Sequence, residues 1–349
     1  MAAGALATGL PWAAPAHAAD PEPTQTLDTV IVTVNKQAEN VRTVDTAVSI
    51  VRGDRLVSQG RDQLADYIAT MPGVTVNTLG SAGQASLTIR GIPPLTTGSK
   101  VATYIDEAPL GSSGIWAAQS TFQLDLLPFD LDRFELLRGP QGTLYGASSM
   151  GGLLKYVLLS PDTSKFSAAA GLDLGTIRGA DSVGGTVQGR VNLPIKEGML
   201  GLSLSGFYQQ QPGYIDNAYN GRSGVNSNAR YGGRAAVAFY PVDDVIVKLN
   251  AMFQRIDSDD NATNSLLNPD QVTQPDGSIL VSGGTSPGRR AEYKAFLAPF
   301  RSDVDFYSAT VEWTPGELEF VSATSFSRTR ELRLRPTFLF APSFHDDDQ

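Results

Sequence analysis

Few residues in this 349-residue chain invite a chemical reading, and they are scattered. There is no cysteine, which excludes a thiolate nucleophile, a disulfide framework and a Cys-ligated zinc. The two histidines, His17 and His345, stand near opposite ends, so the sequence offers neither a Ser/His/Asp arrangement nor a His-based metal site. The acidic run Asp257-Ser258-Asp259-Asp260-Asn261 suggests calcium. Its sixth position, however, is Ala262 where the loop needs glycine, and its twelfth is Asn268 where it needs glutamate. The tail His345-Asp346-Asp347-Asp348 is more simply a frayed polar end than a cation site. The most conspicuous stretch runs from Arg138-Gly139-Pro140-Gln141-Gly142 through Gly146 to Gly151-Gly152. No lysine stands where the phosphate-binding G-x-x-x-x-G-K-[ST] loop requires one, so these glycines are expected to serve tight turns and close backbone approach. The expectation is a protein with no catalytic residue, no metal site and no cofactor.

Charge narrows the partners. The 27 basic and 36 acidic residues give a net charge of −9, and the basic residues are dispersed, which argues against a surface that tracks phosphates, so no nucleic-acid partner is expected. No stretch holds the ~18 consecutive apolar residues of a spanning helix. Strands of a membrane β-barrel need only about 10 alternating residues each and are not excluded by this.

The elements that would position any site fall into four segments. Residues 1–19 are small and apolar and end in Ala16-His17-Ala18, a signal-peptidase pattern that implies export. No Lys or Arg precedes Lys36, so the positive start of such a signal is missing and Met1 is expected not to be the native start; the alternative is a disordered Ala/Pro tail. Residues 20–40 form a polar leader around one β-prone run, Asp28-Thr29-Val30-Ile31-Val32-Thr33, which must join the following domain or await a partner's sheet edge. Residues 41–160 read as a compact α+β unit: a helix over 62–71, with Leu64, Tyr67, Ile68 and Met71 on one face, stopped by Pro72-Gly73, then strands at 74–77, 87–90 and 101–105.

Strict alternation begins after Lys165. Phe166, Ala168, Ala170, Leu172 and Leu174 share one face of a strand, and comparable runs at 183–193, 199–209, 230–240, 245–257, 304–313 and 318–329 bring the number to about seven. Tight turns at 194–198, 241–244 and 314–317 alternate with longer polar segments at 177–182, 210–227 and 258–303. That rhythm is the one of a transmembrane barrel, and Tyr208, Tyr231, Tyr240 and Trp313 suit its interfacial girdles. A soluble β-sandwich is the alternative, but its core face should be heavier in Leu, Ile and Phe than these Ala/Gly/Ser-rich faces.

Together these pieces resemble the TonB-dependent outer-membrane receptors. Residues 28–33 resemble a TonB box, Leu64-Ala65-Asp66-Tyr67-Ile68 with Met71-Pro72-Gly73-Val74 the plug helix and next strand, and Leu87-Thr88-Ile89-Arg90-Gly91-Ile92 the plug's I-R-G segment. Val101 to Leu110 is similar to its V-x-x-Y-I-D-x-x-P-L segment, and Asp132 to Gly146 to the most diagnostic stretch of the family. One departure follows Gly151-Gly152, where Leu153-Leu154-Lys155-Tyr156-Val157 replaces a V-I-N-I-V-like strand.

The resemblance implies an α+β plug domain followed by an antiparallel transmembrane β-barrel of about 22 strands, of which residues 161–349 supply roughly a third. Such a partial wall would leave edges unpaired in lipid, so the expectation is a fragment or a truncated gene product. The implied function is energy-coupled import across the outer membrane of a Gram-negative cell, most simply of a ferric siderophore. A vitamin or carbohydrate receptor, or a non-transporting product, is the alternative. Implied partners are TonB with its inner-membrane energising complex, an iron–siderophore or similar ligand, and outer-membrane lipid. By place in the motifs, Asp28, Thr29, Val30, Ile31, Val32 and Thr33 would bind TonB, while Arg90, Glu135 and Arg138 would form the ionic plug–barrel interface or, equally, salt bridges internal to the plug. Gln84, Ser112, Ser113 and Trp116 are candidates for ligand contact, with plain loop packing the alternative for Trp116.

Overall fold

A computed structural model of the chain describes residues 31–33, 36, 39–41, 44, 46–78, 82–92, 100–110, 123–260, 272–273, 279–280, 288–292 and 296–334. Within the leader, β1 (Ile31–Val32) pairs with β2 (Glu39–Asn40), antiparallel, so this β-prone run folds back on the leader itself.

The α+β unit is built from β3 (Val48–Arg52), α1 (Gly53–Ser58), α2 (Leu64–Ile68), β4 (Val74–Thr78), β5 (Ala85–Ile89), β6 (Val101–Ile105), β7 (Ala108–Pro109), β8 (Leu131–Arg138), α3 (Gly142–Tyr145) and β9 (Gly152–Leu158). Its five-stranded sheet has the order β3-β8-β9-β6-β7, with β6 and β9 parallel, and β4 and β5 form a separate hairpin. α2 is shorter than the spacing of its apolar residues predicts. Gln63 and Asp66 close a capping box that starts the helix at Leu64, and Met71 leaves it toward Pro72 and Gly73, whose φ of 75° ends the turn. Leu64, Tyr67 and Ile68 are wholly buried against Phe134, Leu136, Leu154 and Tyr156 of the sheet, each aliphatic side chain contributing about 1.5–3 kcal/mol. Phe134 receives Tyr67 and Tyr156 edge-on, both at 5.2 Å between ring centroids. Gly152 is required by close approach: a Cβ there would lie 2.3 Å from the Leu137 carbonyl oxygen across the β8–β9 ladder.

The second part is an antiparallel sheet of seven long strands: β10 (Ser167–Gly175), β11 (Gly184–Lys196), β12 (Leu200–Gln211), β14 (Asn228–Val242), β15 (Val245–Ser258), β19 (Phe300–Trp313) and β20 (Phe320–Arg333). Short pieces lie in its long connections: β13 (Asp216–Asn217) pairs with β18 (Ala291–Glu292), and β16 (Val272–Thr273) with β17 (Ile279–Leu280). Residues 197–199, 243–244 and 314–319 turn the chain at one end; the longer connections, among them 212–227 and 259–299, are at the other. The pleat sorts side chains by face. On β14, Arg230, Arg234, Ala236 and Ala238 are buried, while Tyr231 is exposed. On the outer face Val187, Leu204, Tyr208, Leu249, Phe253, Tyr307 and Val311 stand free, an apolar surface suited to lipid. Trp313 stacks on Phe320 at 5.4 Å and donates its indole N–H to Asp244 at the short-turn end, while Tyr208 stacks on Tyr231 nearer the other.

The α+β unit sits against the inner face of this wall. Met252, Val304 and Phe306 of the wall join its main apolar core, and Ala82 packs on Ile256 and Phe300.

Candidate functional site

Two polar clusters tie the unit to its surroundings. The first lies toward the long connections. Asp125 Oδ1 accepts the Leu64 N–H at 3.0 Å and Arg230 Nη1 at 3.1 Å, and Oδ2 accepts the Gly83 N–H at 3.2 Å. Arg230, wholly buried, spends its remaining donors on the Asp62 carbonyl at 2.7 Å and on Gln209 Oε1 at 2.9 and 3.2 Å. Gln254 of the wall donates to the Asp125 carbonyl at 2.8 Å, and Asp62 also accepts from Gln209. Burial pushes the Asp125 carboxyl above the usual carboxylate range, opposed first by the Arg230 guanidinium and then by the two backbone N–H groups. Midway down, Asp130 Oδ2 accepts Arg234 Nη1 at 2.9 Å and Ser205 Oγ at 2.8 Å, while Arg234 also bonds the Leu159 carbonyl and Asn250.

The second cluster gathers on Thr33, the residue after β1. Its N–H donates to Glu135 Oε1 at 3.4 Å; its carbonyl accepts Tyr145 Oη at 3.0 Å and Lys155 Nζ at 3.2 Å; its hydroxyl accepts Lys155 Nζ at 2.7 Å. Lys155, wholly buried, has Glu107 as counter-ion at 2.5 Å. A cavity of about 110 Å³ adjoins this cluster, lined by Thr33, Glu107 and Lys155 on one side and by Arg234, Lys248 and Glu312 of the wall on the other.

Of the residues singled out from sequence, Thr33 comes to this second cluster, Ile31 and Val32 pair with β2, and Asp28, Thr29 and Val30 lie outside the described residues. Arg90, Glu135 and Arg138 make their contacts inside the unit or, for Glu135, also to the leader, rather than to the wall. Glu135 is wholly buried in a 2.7 Å salt bridge to Arg133, Arg138 donates to the Pro72 carbonyl at 3.0 Å, and the Arg90 guanidinium lies over Gly139. Among the described residues, the ion pairs to the wall are Asp125–Arg230 and Asp130–Arg234 instead. Sequence reasoning missed these four, although Arg230 and Arg234 share one face of an alternating strand, which marks a lumen-facing pair. Gln84 is wholly buried and neither amide atom has a hydrogen-bond partner; Ser112, Ser113 and Trp116 lie outside the described residues.

An α+β unit seated on the polar inner face of a wall sheet, with an extended leader fixed beneath it, is a specific arrangement, and the TonB-dependent Receptor Plug Domain family matches residues 40–153. Residues 40–153 are a TonB-dependent receptor plug domain. The chain is 30% identical over 132 residues to the vitamin B12 transporter BtuB of Vibrio vulnificus, covering 37% of this chain and 20% of that protein. It is 26% identical over 220 residues to the pesticin receptor of Yersinia pestis, covering 62% and 30%. Among solved structures, the ferric yersiniabactin uptake receptor FyuA of Yersinia pestis superposes with a TM-score of 0.62 at 19% identity, over 83% of this chain and 42% of that one. The ferripyoverdine receptor of Pseudomonas aeruginosa gives 0.60 at 18%, over 82% and 34%. These likenesses show the fold, a plug within an antiparallel barrel wall, and the chain spans under half the length of each. The family consists of transport receptors rather than enzymes.

Proposed function

We propose that this chain is a TonB-dependent receptor serving energy-coupled import of a ferric siderophore across the outer membrane of a Gram-negative cell. In this reading residues 1–19 direct export, 20–40 are the leader carrying the TonB-binding strand, 41–160 the plug and 161–349 barrel wall. The observation that carries it is the placement of the leader: Thr33, the residue after β1, is held on the plug beside a cavity lined by Lys248 and Glu312 near the short-turn end of the wall. Short turns face the periplasm in such barrels, which puts β1 on the side from which TonB approaches. TonB would take residues 28–33 as an added strand through main-chain hydrogen bonds, displacing β2 from Ile31 and Val32. Gln84, Ser112, Ser113 and Trp116 belong to plug segments assigned here to the ligand side. Siderophore cargo is favoured by the uptake receptors for yersiniabactin and pyoverdine that share the fold.

A second cargo reading, a cobalamin, is favoured by the 30% identity over 132 residues to BtuB. The test is uptake of radiolabelled ferric siderophores and of radiolabelled vitamin B12 by receptor-deficient cells carrying the full gene, with and without functional TonB. TonB-dependent iron accumulation supports the first reading; TonB-dependent cobalamin accumulation alone replaces it with the second. Val30→Pro removes a ladder donor from the TonB strand, so it is expected to abolish uptake and spare ligand binding; uptake that persists removes residues 28–33 from the mechanism.

A further inference from the structure

Thr33 is bonded through every polar group it has, and Lys155 supplies two of those bonds. An ammonium carries three donors and no acceptor. Lys155 commits them to the Thr33 carbonyl, the Thr33 hydroxyl and Glu107, so the buried cation is saturated only while the leader is in place. If Thr33 leaves, two donors of a buried charge lose their partners, a costly state in a dry interior. The site is not dry on all sides. The adjoining cavity of about 110 Å³ has polar lining from Lys248 and Glu312 and is large enough for several waters, which can take over the bonds that Thr33 gives up.

Lys155 is also placed to sense the other end of the plug. On β9 it points to the leader, while its neighbour Tyr156 points the opposite way and donates its hydroxyl to the Leu124 carbonyl, in the segment that carries Asp125. Across the ladder, Glu135 pairs with Lys155 and Phe134 with Tyr156. Two registered pairs thus present the leader cage on one face of the sheet and the aromatic contact with segment 123–127 on the other.

We infer that Lys155 is the positioning residue that latches the TonB segment onto the resting plug. It holds Thr33 between its ammonium, itself paired with Glu107, and the carboxylate of Glu135. This rests on the reading of residues 28–33 as the TonB strand, and the experiment keeps the two apart. The chain has no native cysteine, so Ile31→Cys introduces a unique thiol whose maleimide labelling rate in outer-membrane vesicles reports release of β1. Lys155→Met is expected to raise that rate about tenfold or more, because it deletes two charge-assisted bonds. Thr33→Val, which deletes only the hydroxyl and leaves the plug core intact, is expected to raise it a few-fold, and Thr33→Ser to leave it unchanged. Unchanged labelling in both Lys155→Met and Thr33→Val, with the plug still resistant to trypsin, overturns the latch. Equal labelling of Thr33→Ser and Thr33→Val at a raised rate overturns the role of the hydroxyl. Disulfide capture of the same thiol by a single-cysteine TonB is the separate readout. Raised labelling without capture supports the latch while refuting the TonB reading, and capture with unaltered labelling does the reverse.

Discussion

The two ends of the plug are fastened in different ways. Toward the long connections it is bonded directly to the wall: Asp125, Asp62 and Gln63 meet Arg230, Gln209, Gln211 and Gln254. Toward the short turns its charged side chains are spent on its own leader, and a cavity lies between Lys155 and the wall pair Lys248–Glu312. A pull applied through the leader therefore acts first on the end where water is already at hand to replace the bonds broken. Exchange of polar contacts for water costs little, whereas stripping a buried ion pair costs much. The difference describes a plug that can open from below while remaining anchored above.

Arg230→Met is the strongest way to break that comparison. It leaves Asp125 buried beside no cation and is expected to cost about 3–5 kcal/mol of plug stability, read as a lowered urea midpoint for trypsin resistance of the plug in detergent micelles. Arg230→Met with Asp125→Asn should recover part of the loss, since no charge is left buried and the amide oxygen keeps one of the two backbone donors, Leu64 or Gly83, while the other loses its acceptor. The pH dependence has a defined sign. The folded midpoint of the Asp125 carboxyl lies above the ordinary value of 3.8, so charging it works against the folded state as pH rises through that window. Loss of Arg230 moves the midpoint further up. The penalty of Arg230→Met is therefore expected to be full at neutral pH and to shrink as pH falls toward about 4. A penalty that grows on acidification would show that Asp125 is not the group left unpaired.

Arg234→Met is a milder test of the same seam. Asp130 keeps the Ser205 hydroxyl and is partly solvated, so the expected cost is about 1–3 kcal/mol. If it equals or exceeds that of Arg230→Met, the anchor is midway down the wall and the contrast between the ends must be redrawn.

What was legible in the sequence follows from periodicity. Each of the seven wall strands overlaps a run of period-2 alternation, because a strand with lipid on one side and lumen on the other must alternate. That α2 must end before Pro72-Gly73 was legible because those residues cannot continue a helix, but its end at Ile68 was not; nor was its start, since Asp62 and Gln63 are drawn into a cap and into contacts with Gln209 and Gln211. The pairing of β1 with β2 spans two residues and leaves no periodic trace. Asp125–Arg230 joins residues 105 apart and Thr33–Lys155 residues 122 apart, so no local pattern could announce either pair. Lys155 stood out only as a lysine where the resemblance led one to expect another residue. What it does depends on a partner that only the fold supplies.

Tyr156→Phe is the smallest change that bears on both ends at once. It removes one hydroxyl, whose acceptor is the Leu124 carbonyl, and leaves the edge-on packing against Phe134 in place. The expected loss of stability is about 1 kcal/mol, the ordinary net value of one hydrogen bond with a modest addition for the carbonyl left unpaired. If the two ends are independent, nothing else should change, and the double variant Tyr156→Phe with Arg230→Met should lose the sum of the two single losses within about 0.5 kcal/mol. If the aromatic strand connects them, the two losses will not add, because both act on segment 123–127. A coupling energy measured in that cycle separates a plug that is merely fastened differently at its ends from one in which the upper fastening governs the lower.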